Sequence, residues 1–92
     1  MVAIVQPREV VLAFAERMEE KLSAVEERHP DGWGGDTVNA LYTRADDRMN
    51  DLYIAIENNE DAAAIGKKAV DVANWMMMIA DNLGFLDLWY GK

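Results

Sequence analysis

Residues 68 to 82, Lys-Ala-Val-Asp-Val-Ala-Asn-Trp-Met-Met-Met-Ile-Ala-Asp-Asn, place a carboxylate and an amide, Asp71 and Asn74, in a segment that is otherwise apolar on nearly every side. Residues three apart share one face of a helix, so the two groups project together. A carboxylate withdrawn from water needs a cation, a metal or several hydrogen bonds to replace its hydration. A second polar cluster, Asp47-Arg48-Met49-Asn50-Asp51, lies upstream and carries a cation and an acid at the same three-residue spacing, as do Lys68 and Asp71. Charge pairing and the holding of a cation or a phosphate are therefore the chemistries to weigh. Trp33, in the run Gly32-Trp33-Gly34-Gly35, could stack on a nucleobase, but a loop tryptophan more often seals the end of a helical core, and that is the favoured reading. The run Met76-Met77-Met78 could form an adaptable surface, and core packing is the simpler use of it.

Other chemistries are missing. The chain has no cysteine, which removes disulfides, thiolate metal sites and a thiol nucleophile. The one serine, Ser23, falls in a helical stretch, and no glycine-rich phosphate loop is present. The single histidine, His29, precedes Pro30 and reads as an exposed helix end.

The elements that position these residues read as three helices. Pro7 suits a first helical position, and Val11, Phe14, Met18, Leu22 and Val25 recur at steps of three or four with glutamates facing away, which predicts a helix over about 7–28. The stretch from His29 to Gly35 cannot continue it, because Pro30 lacks a donor and three glycines favour turns. Asp36 is placed to cap a second helix with the stripe Val38, Leu41, Tyr42, Ala45, Met49, Leu52, Tyr53 and Ile56, ending near Asn58. Asn59 is placed to cap a third helix with Glu60 and Asp61 in its first turn, and Gly84 is placed to end it. Ile65, Ala69, Val72, Met76, Ile79 and Leu83 form the main stripe of this third helix, and Val70, Ala73, Trp75, Met77 and Met78 give it a second apolar surface. A helix of that kind belongs at the centre of a bundle. The tail from Phe85 to Tyr90 reads as a short helix or a sealing arm.

The whole, residues 1–92, is one all-α domain. A chain of this length buries only about 60–65% of the surface its unfolded form exposes, so the expectation is self-association into a dimer or tetramer. The net charge of −8 repels nucleic-acid polymers and anionic lipid. The apolar opening Met1 to Val5 is too short for a signal or a membrane span, and the expected location is the cytoplasm.

The segment Asp71-Val-Ala-Asn-Trp-Met-Met-Met-Ile resembles the second metal-binding helix of the MazG-like nucleoside triphosphate pyrophosphohydrolases. The resemblance extends more weakly to Phe14, Ala15, Met18 and Leu22, to Gly32-Trp33, and to the Leu52 and Ala55-Ile56 that follow Asp51, covering most of the chain. It implies a helical oligomer that hydrolyses a nucleoside triphosphate to monophosphate and pyrophosphate, with magnesium held by a Glu-Glu-x-x-Glu on one helix and a Glu-x-x-Asp on the next. Pairs at i and i+3 on adjacent helices converge hard oxygen donors suited to that ion. The corresponding positions here imply Asp47, Asp51 and Asp71 as metal ligands, and Arg48, Lys68, Asn74 and Trp33 as contacts for a nucleotide.

Arg48 and Lys68 stand where the family has glutamate, and neither can ligate a metal. Three expectations follow. The cations pair with Asp51 and Asp71 and self-neutralise the cleft, or they hold nucleotide phosphates without hydrolysis, or a displaced metal site survives. The resemblance therefore implies a weak or inactive pyrophosphohydrolase, with a non-catalytic phosphate-binding or protein-interaction module as the alternative.

Overall fold

The computed structural model describes residues 6–26 and 32–86, and these form three helices: α1 (Glu9–Glu26), α2 (Val38–Glu57) and α3 (Ala62–Asn82). The end expected for the first helix near residue 28, the His29-Pro30-Asp31 part of the loop and the arm from residue 87 onward lie outside the described residues.

The ends of the helices show why the chain divides there; one expected first residue and two expected caps shift. Pro7 precedes the helix instead of opening it, because the Arg8 carbonyl accepts the first helical bond, from the Leu12 N–H at 3.0 Å. The cap of α2 is Thr37, one residue after Asp36: its hydroxyl accepts the Ala40 N–H at 3.1 Å. The cap of α3 is Asp61 and not Asn59; its carboxylate accepts the Ala64 N–H at 2.8 Å. Asn59 instead takes the left-handed conformation, with φ 54°, that ends α2. The Asn59 N–H donates to Ile56 and the Glu60 N–H to Ala55, both at 3.1 Å, the two bonds that close a Schellman turn. Asparagine is one of the few side chains that tolerates this backbone, which is why it is found here. Gly84 ends α3 as expected, with φ 76° and its N–H on the Asp81 carbonyl.

Losing the Asp61 carboxylate orphans a first-turn donor at the single turn that connects two packed helices. Asp61→Ala should cost about 1 kcal/mol and lower the melting temperature by roughly 4–8 °C. Asp61→Asn, which keeps the acceptor, should recover most of that in the same thermal melt.

The third helix occupies the centre, as its double apolar surface predicts. It packs along α2 and, on another side, against α1, while α1 and α2 do not meet among the described residues. The short turn makes α2 and α3 an antiparallel hairpin, and Asn74 against Met18 together with Asp71 beside Lys21 run α1 antiparallel to α3 as well. The buried core is small: Leu41, Ala45 and Ala55 from α2, and Val70, Val72, Met78 and Asn74 from α3.

The apolar surface left uncovered is mainly elsewhere than expected. Most of α3 is at least half-buried, and its exceptions include Met76. The stripe of α2 splits in two. Leu41, Ala45, Leu52 and Ala55 face α3, whereas Tyr42, Met49, Tyr53 and Ile56, on an adjoining face, are 62%, 45%, 60% and 51% exposed. At 100° per residue the two halves together span an arc of roughly 160°, wider than one partner helix covers. In α1, Met18, Leu22 and Val25 are half-buried, while Val10, Val11, Leu12 and Phe14 are exposed and no residue is fully buried.

Candidate functional site

Asp71 owes its place on the apolar helix to Arg48. Arg48 rises from the α3-facing side of α2, and its guanidinium Nε donates to Asp71 Oδ2 at 3.2 Å. Its Nη1 reaches Asp51 Oδ2, one turn along α2, at 3.4 Å. One cation thus bridges both carboxylates singled out at the i+3 positions. The three side chains are 42%, 49% and 25% exposed for Arg48, Asp51 and Asp71, so solvent screens the cluster and each contact contributes at most about 1 kcal/mol. Its effect is mainly on charge placement: the guanidinium sits where the two helices bring the acids together.

Lys68 does not complete the expected pattern of two ion pairs. It is half-buried and forms no ion pair among the described residues. Together with Asp71 it lines an open cleft of about 470 Å³ between α1 and the first half of α3, whose other walls are Lys21, Asp61, Ala63, Ala64 and Lys67. Lys21 and Lys67 were not apparent as site residues in the sequence. The usable signal is that these three are most of the four lysines in the chain, but Lys21 comes close to the pair on α3 only through the antiparallel docking of α1.

The remaining candidates lie apart. Asp47 and Asn50 are exposed on α2, and among the described residues no three His, Asp or Glu gather as a metal site would need. Asn74 is 2% exposed, with its Nδ2 donating to the Met18 carbonyl of α1 at 3.3 Å and its Oδ1 buried without a partner. A phosphate could reach it only by parting α1 from α3. Trp33 clasps the far end of the bundle: its indole N–H donates to Asp81 Oδ2 at 3.1 Å, and Asn82 Nδ2 donates to the Asp36 carbonyl at 2.9 Å. Thirteen helical residues from Lys68 to Asp81 put that clasp about 20 Å from the cleft. A further contact between α2 and α3 places the Arg44 guanidinium 5.9 Å from the centre of the Trp75 ring.

The carboxylates implied for a magnesium ion do not gather around one point among the described residues. Its expected ligands Asp51 and Asp71 already share the guanidinium of Arg48, and Asp47 is not gathered with them. Glutamate at 48 would supply oxygen where the present side chain supplies only N–H.

Among the described residues the fold is all-α, three helices with an arginine-bridged acid pair between two of them. Comparison with known proteins finds no family model, no curated protein and no solved structure that matches the chain. No described helix is long and apolar enough to cross a membrane.

Proposed function

We propose that this chain is a MazG-like helical module that associates with copies of itself and in which triphosphate hydrolysis is weak or lost. The observation that carries the reading is Arg48, whose guanidinium lies 3.2 Å from Asp71 and 3.4 Å from Asp51. A full positive charge between two carboxylates halves their net charge and occupies oxygens that a divalent cation would need, which weakens its attraction even in a solvent-screened cluster. Self-association is supported by the outer face of α2 and by the first half of α1. Tyr42, Met49, Tyr53 and Ile56 form one exposed stripe, whereas only seven of the described residues are buried. Two aromatics flanked by aliphatic groups suit the centre of an isologous interface in which the same stripe meets itself.

Two measurements on the same preparation test the two halves. Light scattering at micromolar concentration should give a dimer or tetramer, and Tyr53→Lys with Ile56→Lys should give a folded monomer; a monomeric parent chain of about 10 kDa overturns the association. Magnesium-dependent pyrophosphate release from a panel of nucleoside triphosphates should be slow or absent. A turnover on the order of one per second, within the ordinary range of enzymes, overturns the loss of hydrolysis.

A further inference from the structure

We infer that α1 is a releasable cover on the α2–α3 hairpin, lifting from α3 as a unit while the hairpin stays folded, and that Asn74 beneath it keeps it releasable. The inference goes beyond the proposed function, since it requires neither self-association nor any state of the Arg48 cluster.

Among the described residues the seven that are buried all belong to α2 and α3, and α1 contributes none. α1 meets α3 alone, and the stripe it lays down there, Met18, Leu22 and Val25, is only half-buried. No ion pair crosses from α1 to α3 among the described residues. An isolated helix of 18 residues is marginal in water, so α1 keeps its form chiefly through this one contact. The hairpin is tied without it. At its open end Trp33 donates to Asp81 at 3.1 Å and Asn82 to the Asp36 carbonyl at 2.9 Å, joining the start of α2 to the end of α3. Local opening begins where few apolar contacts are buried, and here that is α1.

Asn74 sits in the middle of that contact. Val70, Asn74 and Met78 recur at four-residue steps and share one face of α3, and the bond from Asn74 Nδ2 to the Met18 carbonyl turns that face to α1. The bond is long, 3.3 Å where about 2.9–3.0 Å is usual for N–H···O. On the same amide Oδ1 is buried with no partner. A buried acceptor without a donor destabilises the state that buries it, and lifting α1 returns it to water. Leucine has a similar branched shape and no polar atom, so leucine at this position would hold α1 more firmly. The amide still directs the docking, because Nδ2 meets the carbonyl only when α1 is correctly seated. A single buried asparagine in a coiled coil acts in the same way, fixing the pairing at a cost in stability. Release of α1 bares Val70, Asn74 and Met78 together.

The test exploits the absence of cysteine from the chain. Val70→Cys places a thiol under α1, and Ala55→Cys, at a position 0% exposed, places one on the side of α2 turned to α3. Labelling of each full-length variant with an excess of a chromogenic disulfide reagent, normalised to the rate in concentrated urea, measures how often each site opens. The Val70→Cys variant should label roughly tenfold faster or more than Ala55→Cys. Its rate should also depend less on urea, since lifting one helix exposes less surface than unfolding the chain. Similar rates with the same urea dependence mean that all three helices open together, and overturn the cover. Adding Asn74→Leu to Val70→Cys should slow labelling roughly fivefold or more. An unchanged or faster rate shows that the amide holds α1 down, and overturns the role given to Asn74. Asn74→Val, which removes the same acceptor with a smaller side chain, should also slow labelling, and it decides the point if the leucine variant does not fold. Every one of these outcomes leaves the readings of Arg48 and of self-association untouched.

Discussion

Leu41→Ala should lower stability by about 2–5 kcal/mol and the melting temperature by on the order of 10–20 °C. Leu41 is 1% exposed, on the face of α2 turned to α3, and with Asn74 it is one of the two largest side chains that are fully buried. Among the described residues the other buried apolar groups are two alanines, two valines and one methionine, so the hairpin has little else of leucine's volume to collapse into the space. A domain of this size has a total stability of about 5–14 kcal/mol, which makes the loss a large share of the whole. The measurement is a thermal or urea melt at two protein concentrations, since association stabilises the folded state by mass action. A change below about 1 kcal/mol at both concentrations would show that α2 is not anchored on α3 through this residue.

The same residue shows how far the sequence alone reaches. The period of α2 makes Leu41 and Tyr42 equally good members of one stripe, yet the first is buried and the second is 62% exposed. Periodicity identifies an apolar arc but does not say which half of a wide arc faces the partner inside the chain and which half is left over. That choice depends on how α3 approaches, a tertiary fact. The central place of α3 was legible for the opposite reason: a helix apolar on two sides has only one place to go in a three-helix chain.

Helix ends show a related limit. Asp36 and Thr37, or Asn59 and Asp61, are all good capping types, and the chain settles the choice by geometry. Asn59 is needed in the left-handed position that closes α2, leaving Asp61 to open α3. At the site, the pairing of Arg48 with Asp51 follows from spacing along one helix, and its reach to Asp71 from the hairpin register. The lysine cleft was not legible, because nothing local to Lys21 marks it as a neighbour of Lys67 and Lys68.

The double change Arg48→Glu and Lys68→Glu should convert the cluster into a metal-dependent one. It removes the cation that bridges Asp51 and Asp71 and adds two carboxylates beside them, giving each helix an acid pair at i and i+3. In chelator the variant should lose about 2 kcal/mol, since two screened ion contacts are lost and like charges replace them, and it should melt roughly 10 °C lower. Magnesium or manganese should restore much of that loss, because a ligand that binds only the folded state stabilises it in proportion to the logarithm of its concentration over its dissociation constant. Arg48→Glu alone should show a smaller destabilisation with partial recovery. Lys68→Glu alone should show little recovery, because the guanidinium still lies between Asp51 and Asp71. The readout is the difference in melting temperature with and without metal, compared across the parent chain, the single variants and the double variant. No metal-dependent rise in the double variant would mean that positions 48, 51, 68 and 71 cannot direct oxygens to one point, and the bridge made by Arg48 would then be an ordinary surface ion pair. A rise accompanied by magnesium-dependent pyrophosphate release would make Arg48 and Lys68 the two residues that hold a catalytic scaffold inactive.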